Sequence, residues 1–327
     1  MPEERIARFP AVPRDHSRLL HAPLAGGVFE HLRFFELGKL LRAGDVLVVN
    51  TTRVLKARLF GENAKGRKFE ILLLEPENGA TWNTLVRPGK HIADTGSELL
   101  LPGGWTARVA RHPRDDRRFQ ITFPQTGAAF AEWLETHGHM PLPPYLKRPD
   151  QASDTVDYQT VYAQEGQSVA APTAGLHFTP ELMESLQNQG VAFEKITLDV
   201  GYGTFAPLEP SAQELHAEPY EIPADVDERL ARARAEGRRV IAVGTTSLRA
   251  LEASATQGPC ATTRIFIRPG YRFARVDGLI TNFHLPQSSL FILVAALMGI
   301  DRAQSAYREA LAGDYRFFSF GDAMAIL

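Results

Sequence analysis

Residues 169–181, V-A-A-P-T-A-G-L-H-F-T-P-E, place a hydroxyl, an imidazole and a helix start within one short span. Pro172 restricts the backbone on one side of this loop, and Gly175 frees it on the other. His177 sits between Leu176 and Phe178, so its ring faces a partly apolar wall. Thr179, Pro180 and Glu181 then open a helix as N-cap, first helical residue and first-turn acid. A loop carrying Thr173, Gly175 and His177 is thus set onto a helix N-terminus, where outward N–H groups favour an anionic ligand. A capped helix after a tight turn, with His177 packed in a core, satisfies the same pattern.

Four further places repeat the theme of a buried strand running into polar residues. The apolar run 46–49 (V-L-V-V) ends in Asn50, Thr51, Thr52 and Arg53, either a ligand-facing strand end or a turn satisfying its own backbone. The run 191–198 reads as a strand ending in Asp199 and then Gly201, Gly203 and Thr204, where two glycines let a backbone approach a ligand closely. Their spacing is not G-x-G-x-x-G, which argues against a dinucleotide site. The strand 239–243 leads through Gly244 into Thr245, Thr246 and Ser247 at the start of a helix, with Arg249 one turn in. Hydroxyls plus free helix N–H groups make an anion site, or simply a cap. The lysine of a P-loop is missing, which argues against triphosphate hydrolysis. The strand 278–286 brings Asn282 and His284, and Asp322 closes the C-terminal Y-R-F-F-S-F-G-D. No H-E-x-x-H, G-x-S-x-G or acidic trio occurs. The implied site is rich in hydroxyls and backbone donors, without a metal. It suits a ligand bearing a carboxylate or phosphate, a sugar and a base.

The elements that must position these groups read as an α/β fold. Helices are predicted over 34–42, 180–190, 225–236, 287–299 and 301–312, and a strand over 264–267; residues 9–23 read as loop. Between 54 and 123 the texture changes to short alternating runs parted by Gly, Pro, Asn and Asp, which predicts a small antiparallel barrel or sandwich. Residues 53–120 hold 13 Lys/Arg against 8 Asp/Glu, a local +5 while the rest of the chain carries −7. That asymmetry fits a polyanion-binding face, and equally sheet edges guarded by charge. A helix over 128–136 precedes a proline-rich strap at 137–149, with His137, His139 and Tyr145 along it. The expected organisation is a discontinuous α/β catalytic domain, 1–55 and 150–327, with a basic β-barrel domain and its return strap inserted at 56–149.

Composition narrows the class. The chain has 327 residues, 44% hydrophobic and 23% charged, with a net charge of −2, an ordinary globular balance. One cysteine, Cys260, excludes an intramolecular disulfide and a Cys-based zinc site. The N-terminus lacks the apolar core of a secretory leader, and the apolar run 290–300 is too short to cross a bilayer. A cytoplasmic monomer with no membrane attachment is the expectation.

Ten segments carry a resemblance: G-D-V-L-V-V-N-T-T-R-V-L-K-A-R-L-F-G, H-M-P-L-P-P-Y, Y-Q-T-V-Y, V-A-A-P-T-A-G-L-H-F, V-G-Y-G-T-F, H-A-E-P-Y, V-I-A-V-G-T-T-S-L-R-A-L-E, I-F-I-R-P-G-Y, T-N-F-H-L-P-Q-S-S-L and Y-R-F-F-S-F-G-D-A-M. In this order they resemble the S-adenosylmethionine:tRNA ribosyltransferase-isomerases of queuosine biosynthesis, over nearly the whole chain. The resemblance implies transfer of the ribosyl part of S-adenosylmethionine to 7-aminomethyl-7-deazaguanine at the wobble position of a tRNA with a GUN anticodon. Rearrangement would give epoxyqueuosine-tRNA, adenine and methionine. S-adenosylmethionine would be a consumed cosubstrate, with no cofactor besides. The sulfonium acidifies the adjacent C5′–H, so a placed base starts the reaction without metal or redox help. His177, Asp199 and His284 are the expected acid–base groups. Thr245, Thr246 and Ser247 are expected to hold the methionine carboxylate or a tRNA phosphate, with Arg249 as an anion-binding or structural partner. Asp199 stands where the family commonly has His, and His216 is single where relatives often show two. Two other classes fit parts of the pattern: a tRNA-binding module without catalysis, and a metal-independent enzyme acting on a small sugar phosphate.

Overall fold

The computed structural model describes residues 2–95, 98–164, 166–201, 212–285 and 288–327. Strands β1 (Arg18–Ala22) and β2 (Glu30–Arg33) form an antiparallel pair, followed by β3 (Val46–Asn50). Strands β4 (Arg58–Glu62), β5 (Lys68–Asn78), β6 (Thr81–Arg87), β7 (Glu98–Leu101), β8 (Trp105–Arg111) and β9 (Phe119–Thr122) then close a barrel in the order β4-β5-β6-β9-β8-β7. Helix α1 (Gly127–His137) adds Phe130, Trp133 and Leu134 to the barrel's hydrophobic cluster, its Trp133 stacked on Trp105 at 4.4 Å between ring centroids.

The chain returns through α2 (Asp154–Asp157), α3 (Pro180–Asn188), β10 (Ala192–Leu198), β11 (Glu218–Glu221) and α4 (Ala224–Ala235). It continues with β12 (Val240–Val243), α5 (Thr245–Gln257), β13 (Cys260–Thr263) and β14 (Gly278–Asn282). It closes with α6 (Ser289–Met298), α7 (Ile300–Ala312) and β15 (Ala323–Ile326). One nine-stranded mixed sheet results, in the order β13-β11-β10-β3-β12-β14-β15-β1-β2. Its centre, β10-β3-β12-β14, is all parallel. Each residue of β3, β12 and β14 is buried, which is why these strands read as continuous apolar runs rather than alternating ones.

Alternation still assigns the faces. Val46 and Val48 of β3 join Val226 and Leu230 of α4 and Leu248 and Leu251 of α5 in one core. Leu47 and Val49 join Leu182 and Leu186 of α3 in the other. The chain therefore enters β10 from one face and β12 from the opposite face, on the two sides of β3. In open α/β sheets, that divergence leaves a crevice at the carboxyl ends of the strands.

Three expected elements differ. The helix expected over 34–42 is a short 3-10 helix, Phe34–Lys39, containing Gly38, whose carbonyl is taken by Gln189 Nε2 at 2.9 Å. The strand expected at 264–267 lies earlier, at Cys260–Thr263, because β11 sets the register through Cys260↔Glu221. Thr263 Oγ1 then caps Ile265 N at 3.1 Å and ends the ladder. Residues 9–23 are not all loop: β1 lies inside the sheet, parallel to β15. Among the described residues no single helix is long and apolar enough to cross a membrane, and no group of three His, Cys, Asp or Glu gathers as a metal site.

Candidate active site

The parallel core brings the predicted strand ends to one edge of the sheet. Asn50 and Thr51 end β3, Asp199 follows β10, Gly244 follows β12, and Asn282 ends β14. Strands β3 and β12, each about 4.8 Å from its neighbour, lie between the strand that leads to Asp199 and the one that leads to His284. These two residues must serve different ends of any shared ligand.

On the β10 side, Asp199 is only partly buried. Its Oδ1 accepts from Thr52 Oγ1 at 2.6 Å and from Gln167 N at 3.0 Å, whereas Oδ2 takes no hydrogen bond from the described residues. Ser168 Oγ, 2.8 Å from Thr52 Oγ1, accepts from Val200 N at 2.7 Å. Asn50 spends its amide as a brace between strands: Nδ2 donates to Leu198 O at 2.9 Å, and Oδ1 accepts from Leu198 N and Thr52 N, both at 3.1 Å. Thr51 Oγ1 donates to Ile196 O at 3.1 Å. Asn50 and Thr51 thus direct most of their side-chain hydrogen bonds to the neighbouring strand β10 rather than to a turn of their own. Arg53 is exposed, and its side chain has no partner among the described residues. Gly201 N lies 3.4 Å from Glu218 Oε1, and a Cβ built on Gly201 meets nothing within 4 Å. Gly203 and Thr204 lie outside the described residues.

Between the two sides stands the start of α5. Gly244 takes φ 90°, a conformation open to glycine, and turns the chain from β12 into the helix. Thr245, Thr246 and Ser247 form the first turn, whose N–H groups have no partners within the helix. Ser247 Oγ bonds back to Val243 O at 2.8 Å, while Thr246 Oγ1 is buried without a partner among the described residues. Ala174 packs 3.7 Å from a Cβ built on Gly244, so the Thr173–His177 turn lies against this helix start. Thr173 is partly buried there. Gly175 is required by packing, since a Cβ on it would stand 2.0 Å from Tyr162 Oη. Further along α5, Arg249 Nη1 pairs with Glu218 Oε2, while Nη2 stays buried with no acceptor among the described residues.

On the β14 side, His177 is buried and stacked on Phe34 at 4.9 Å. Asn282 Nδ2 lies 3.1 Å from both Phe318 O and His177 Nε2. The carbonyl can only accept, so the amide nitrogen faces it and gives its second hydrogen to His177 Nε2. The proton of His177 is then on Nδ1, donated to Ser17 Oγ at 2.8 Å. Both ring nitrogens are thus occupied, and Asn282 Oδ1 is left buried and unpartnered among the described residues. Burial, helped by the charges of Arg316 and Arg14, pushes the His177 pKa down to about 3. His284 binds Thr281 Oγ1 through Nε2 at 2.8 Å, and burial lowers its pKa to about 4. Its Nδ1 finds no partner among the described residues. Asp322 is a bracket: Oδ1 accepts from Arg18 N at 2.8 Å and Oδ2 from Arg316 N at 2.7 Å, tying β1 to the C-terminal segment.

These two histidines give a stability signature. Their folded pKa values lie below the unfolded value near 6.5, so between pH 6.5 and about 4 the unfolded chain binds more protons. Stability is then full above pH 6.5 and falls as the pH drops. The expected loss from pH 7 to pH 5 is about 2 kcal/mol per histidine. Urea unfolding at the two pH values checks this: His177→Gln should remove about half of the histidine-linked loss. An unchanged pH dependence in that variant would contradict a neutral, buried His177.

A family model described as a queuosine biosynthesis protein matches residues 1–326. The chain belongs to this family. Relatives named S-adenosylmethionine:tRNA ribosyltransferase-isomerase include one from Desulfitobacterium hafniense, 48% identical over 100% of this chain and 97% of the relative. Another, from Moorella thermoacetica, is 47% identical with the same coverage. A crystal structure of an S-adenosylmethionine tRNA ribosyltransferase from Thermotoga maritima is 37% identical. It covers 100% of this chain and 98% of that one, with a TM-score of 0.57.

Within this family frame, the contacts of Ser17, Ser168 and Glu218, and the partner of Thr52, are not legible in the sequence. Ser17 lies 160 positions from the imidazole it holds, and no local pattern announces such a contact. Thr52 and Ser168 were visible as hydroxyls beside named residues, but the carboxylate and backbone N–H they serve belong to another strand.

Proposed function

We propose that this chain transfers and isomerises the ribosyl moiety of S-adenosylmethionine onto 7-aminomethyl-7-deazaguanine at the wobble position of a GUN-anticodon tRNA. Epoxyqueuosine-tRNA, adenine and methionine are the products, and S-adenosylmethionine is consumed as a cosubstrate. The observation that carries this reading is a whole-chain family match, supported by motif-bearing strand ends on one edge of the sheet's parallel centre.

The geometry favours a division of labour. Asp199 is the base for the sulfonium-activated C5′–H, because its Oδ2 is uncommitted while Oδ1 is fixed by Thr52 and Gln167 N–H. The first turn of α5, with Thr246 Oγ1 unclaimed, holds the methionine carboxylate or a phosphate. Neutral His284, with Nδ1 open, serves the departing adenine at the far end of the edge. His177 positions Asn282 rather than moving protons, since both its nitrogens are occupied. Arg53 and the basic barrel meet the tRNA backbone. The protein works as a cytoplasmic monomer.

Adenine release from S-adenosylmethionine, measured with and without tRNA carrying the aminomethyl base, tests this. Release only with the modified tRNA, with the tRNA gaining the cyclopentane ring, is expected. Folded protein that binds tRNA but releases no adenine would leave only a binding module, and turnover without RNA would point to a small-molecule enzyme.

A further inference from the structure

The outer wall of the barrel carries a cleft that the reaction site does not use. Leu72, Leu85 and Pro143 are its apolar walls, and Arg58, Glu70 and Arg87 its polar lining. Strand register builds it. Leu59, Ile71, Leu73 and Val86 fill the barrel, so their neighbours along the strands face outward. Arg58 then pairs with Leu72 and Leu72 with Leu85 in one row, and Glu70 with Arg87 in the next. Arg58 Nε lies 2.9 Å from Glu70 Oε1, so cation and carboxylate face each other across the cleft. The guanidinium stands 5.4 Å from the Phe60 ring centre. Phe60 is 42% exposed and meets His139 edge-on at 5.0 Å. Cation, carboxylate, aromatic ring and apolar wall thus share one surface.

The cleft backs onto both halves of the catalytic edge. Val169, in its lining, donates N–H to Val200 O at 3.1 Å, one residue beyond Asp199. Pro144, also in the lining, leads to Tyr145, which stacks on Phe318 at 4.3 Å; the Phe318 carbonyl holds Asn282.

We propose that this cleft is a nucleobase slot, taking one unpaired base of the RNA substrate that presents a ring N–H beside a carbonyl oxygen. This rests on the tRNA reading above. Uracil and guanine carry that edge; cytosine and adenine at neutral pH do not. Glu70 accepts the ring N–H, and the guanidinium of Arg58 donates to the neighbouring carbonyl. Leucine and proline walls cover the base faces, and the +5 of residues 53–120 draws the backbone alongside. A base held here would fix the loop of the RNA while its neighbour reaches the sheet edge.

The test is binding of an anticodon stem-loop RNA to the full chain, by fluorescence anisotropy, with each loop uridine or guanosine N-methylated in turn to remove its ring N–H. One such methylation should weaken binding to the unaltered protein about tenfold. In Glu70→Met, judged folded by its melting curve, that penalty should vanish, leaving methylated and unmethylated RNA bound alike. Arg58→Met, as a second probe, should weaken the unmethylated RNA about as much as methylation does. If wild type and Glu70→Met show the same penalty at each methylated position, the slot is overturned while the tRNA reading stands. If the unaltered protein binds no stem-loop at all, both fall.

Discussion

Asp199→Asn is expected to slow adenine release by about 10²–10⁴-fold at saturating S-adenosylmethionine, with KM shifted less than about threefold. The variant is nearly isosteric. Its Oδ1 still accepts from Thr52 Oγ1 and Gln167 N, so the strand end keeps its shape. What is lost is the uncommitted oxygen: an amide NH2 replaces Oδ2, and it has no basic lone pair. A loss in kcat with little change in KM is the mark of a group that acts on the transition state rather than on binding. Retention of turnover within about threefold would make Asp199 a strand-end brace like Asn50. An imidazole is also a base at neutral pH, so Asp199→His should recover part of the rate lost in Asp199→Asn.

What the sequence disclosed and what it concealed divide along a physical line. Local patterns were readable. The apolar run of β3, the glycine and hydroxyls that begin α5 and the Thr179 cap each declare themselves within a few residues. Leu182 N does bond Thr179 Oγ1, at 3.2 Å. The barrel was readable from alternation and turn residues. Strand order was not, because β15 is four short, fully buried residues inserted between β14 and β1 from the end of the chain. Nor was the role of each polar strand end. Asn50, Asn282 and Asp199 look alike as side chains ending apolar runs. Whether each braces a strand or faces the edge depends on partners on other strands, as Leu198 is for Asn50. His177 shows both sides of this. Its apolar flanks foretold burial, but its tautomer follows from Ser17 and the Phe318 carbonyl, which no spacing rule connects.

The other large effect falls on folding. Arg249→Met is expected to destabilise the chain by about 3–5 kcal/mol, because it removes the cation that faces a buried carboxylate. The side chains of Arg249 and Glu218 are only 7% and 3% exposed, and Glu218 is joined to the β10 side of the edge through Gly201 N at 3.4 Å. Urea unfolding of the single variants and of Arg249→Met/Glu218→Met separates the pair from its surroundings. If the loss comes from a buried charge deprived of its counter-ion, the double variant should regain most of it. Single variants costing less than about 1 kcal/mol would show that water reaches the pair. Such a pair is a poor choice for stability alone, since an apolar pair of similar volume would serve as well. Among the described residues Nη2 has no acceptor, and we propose that the pair is kept because the guanidinium offers a buried donor to an anionic group of the substrate. S-adenosylmethionine should therefore raise the melting temperature of the unaltered chain more than that of the folded double variant.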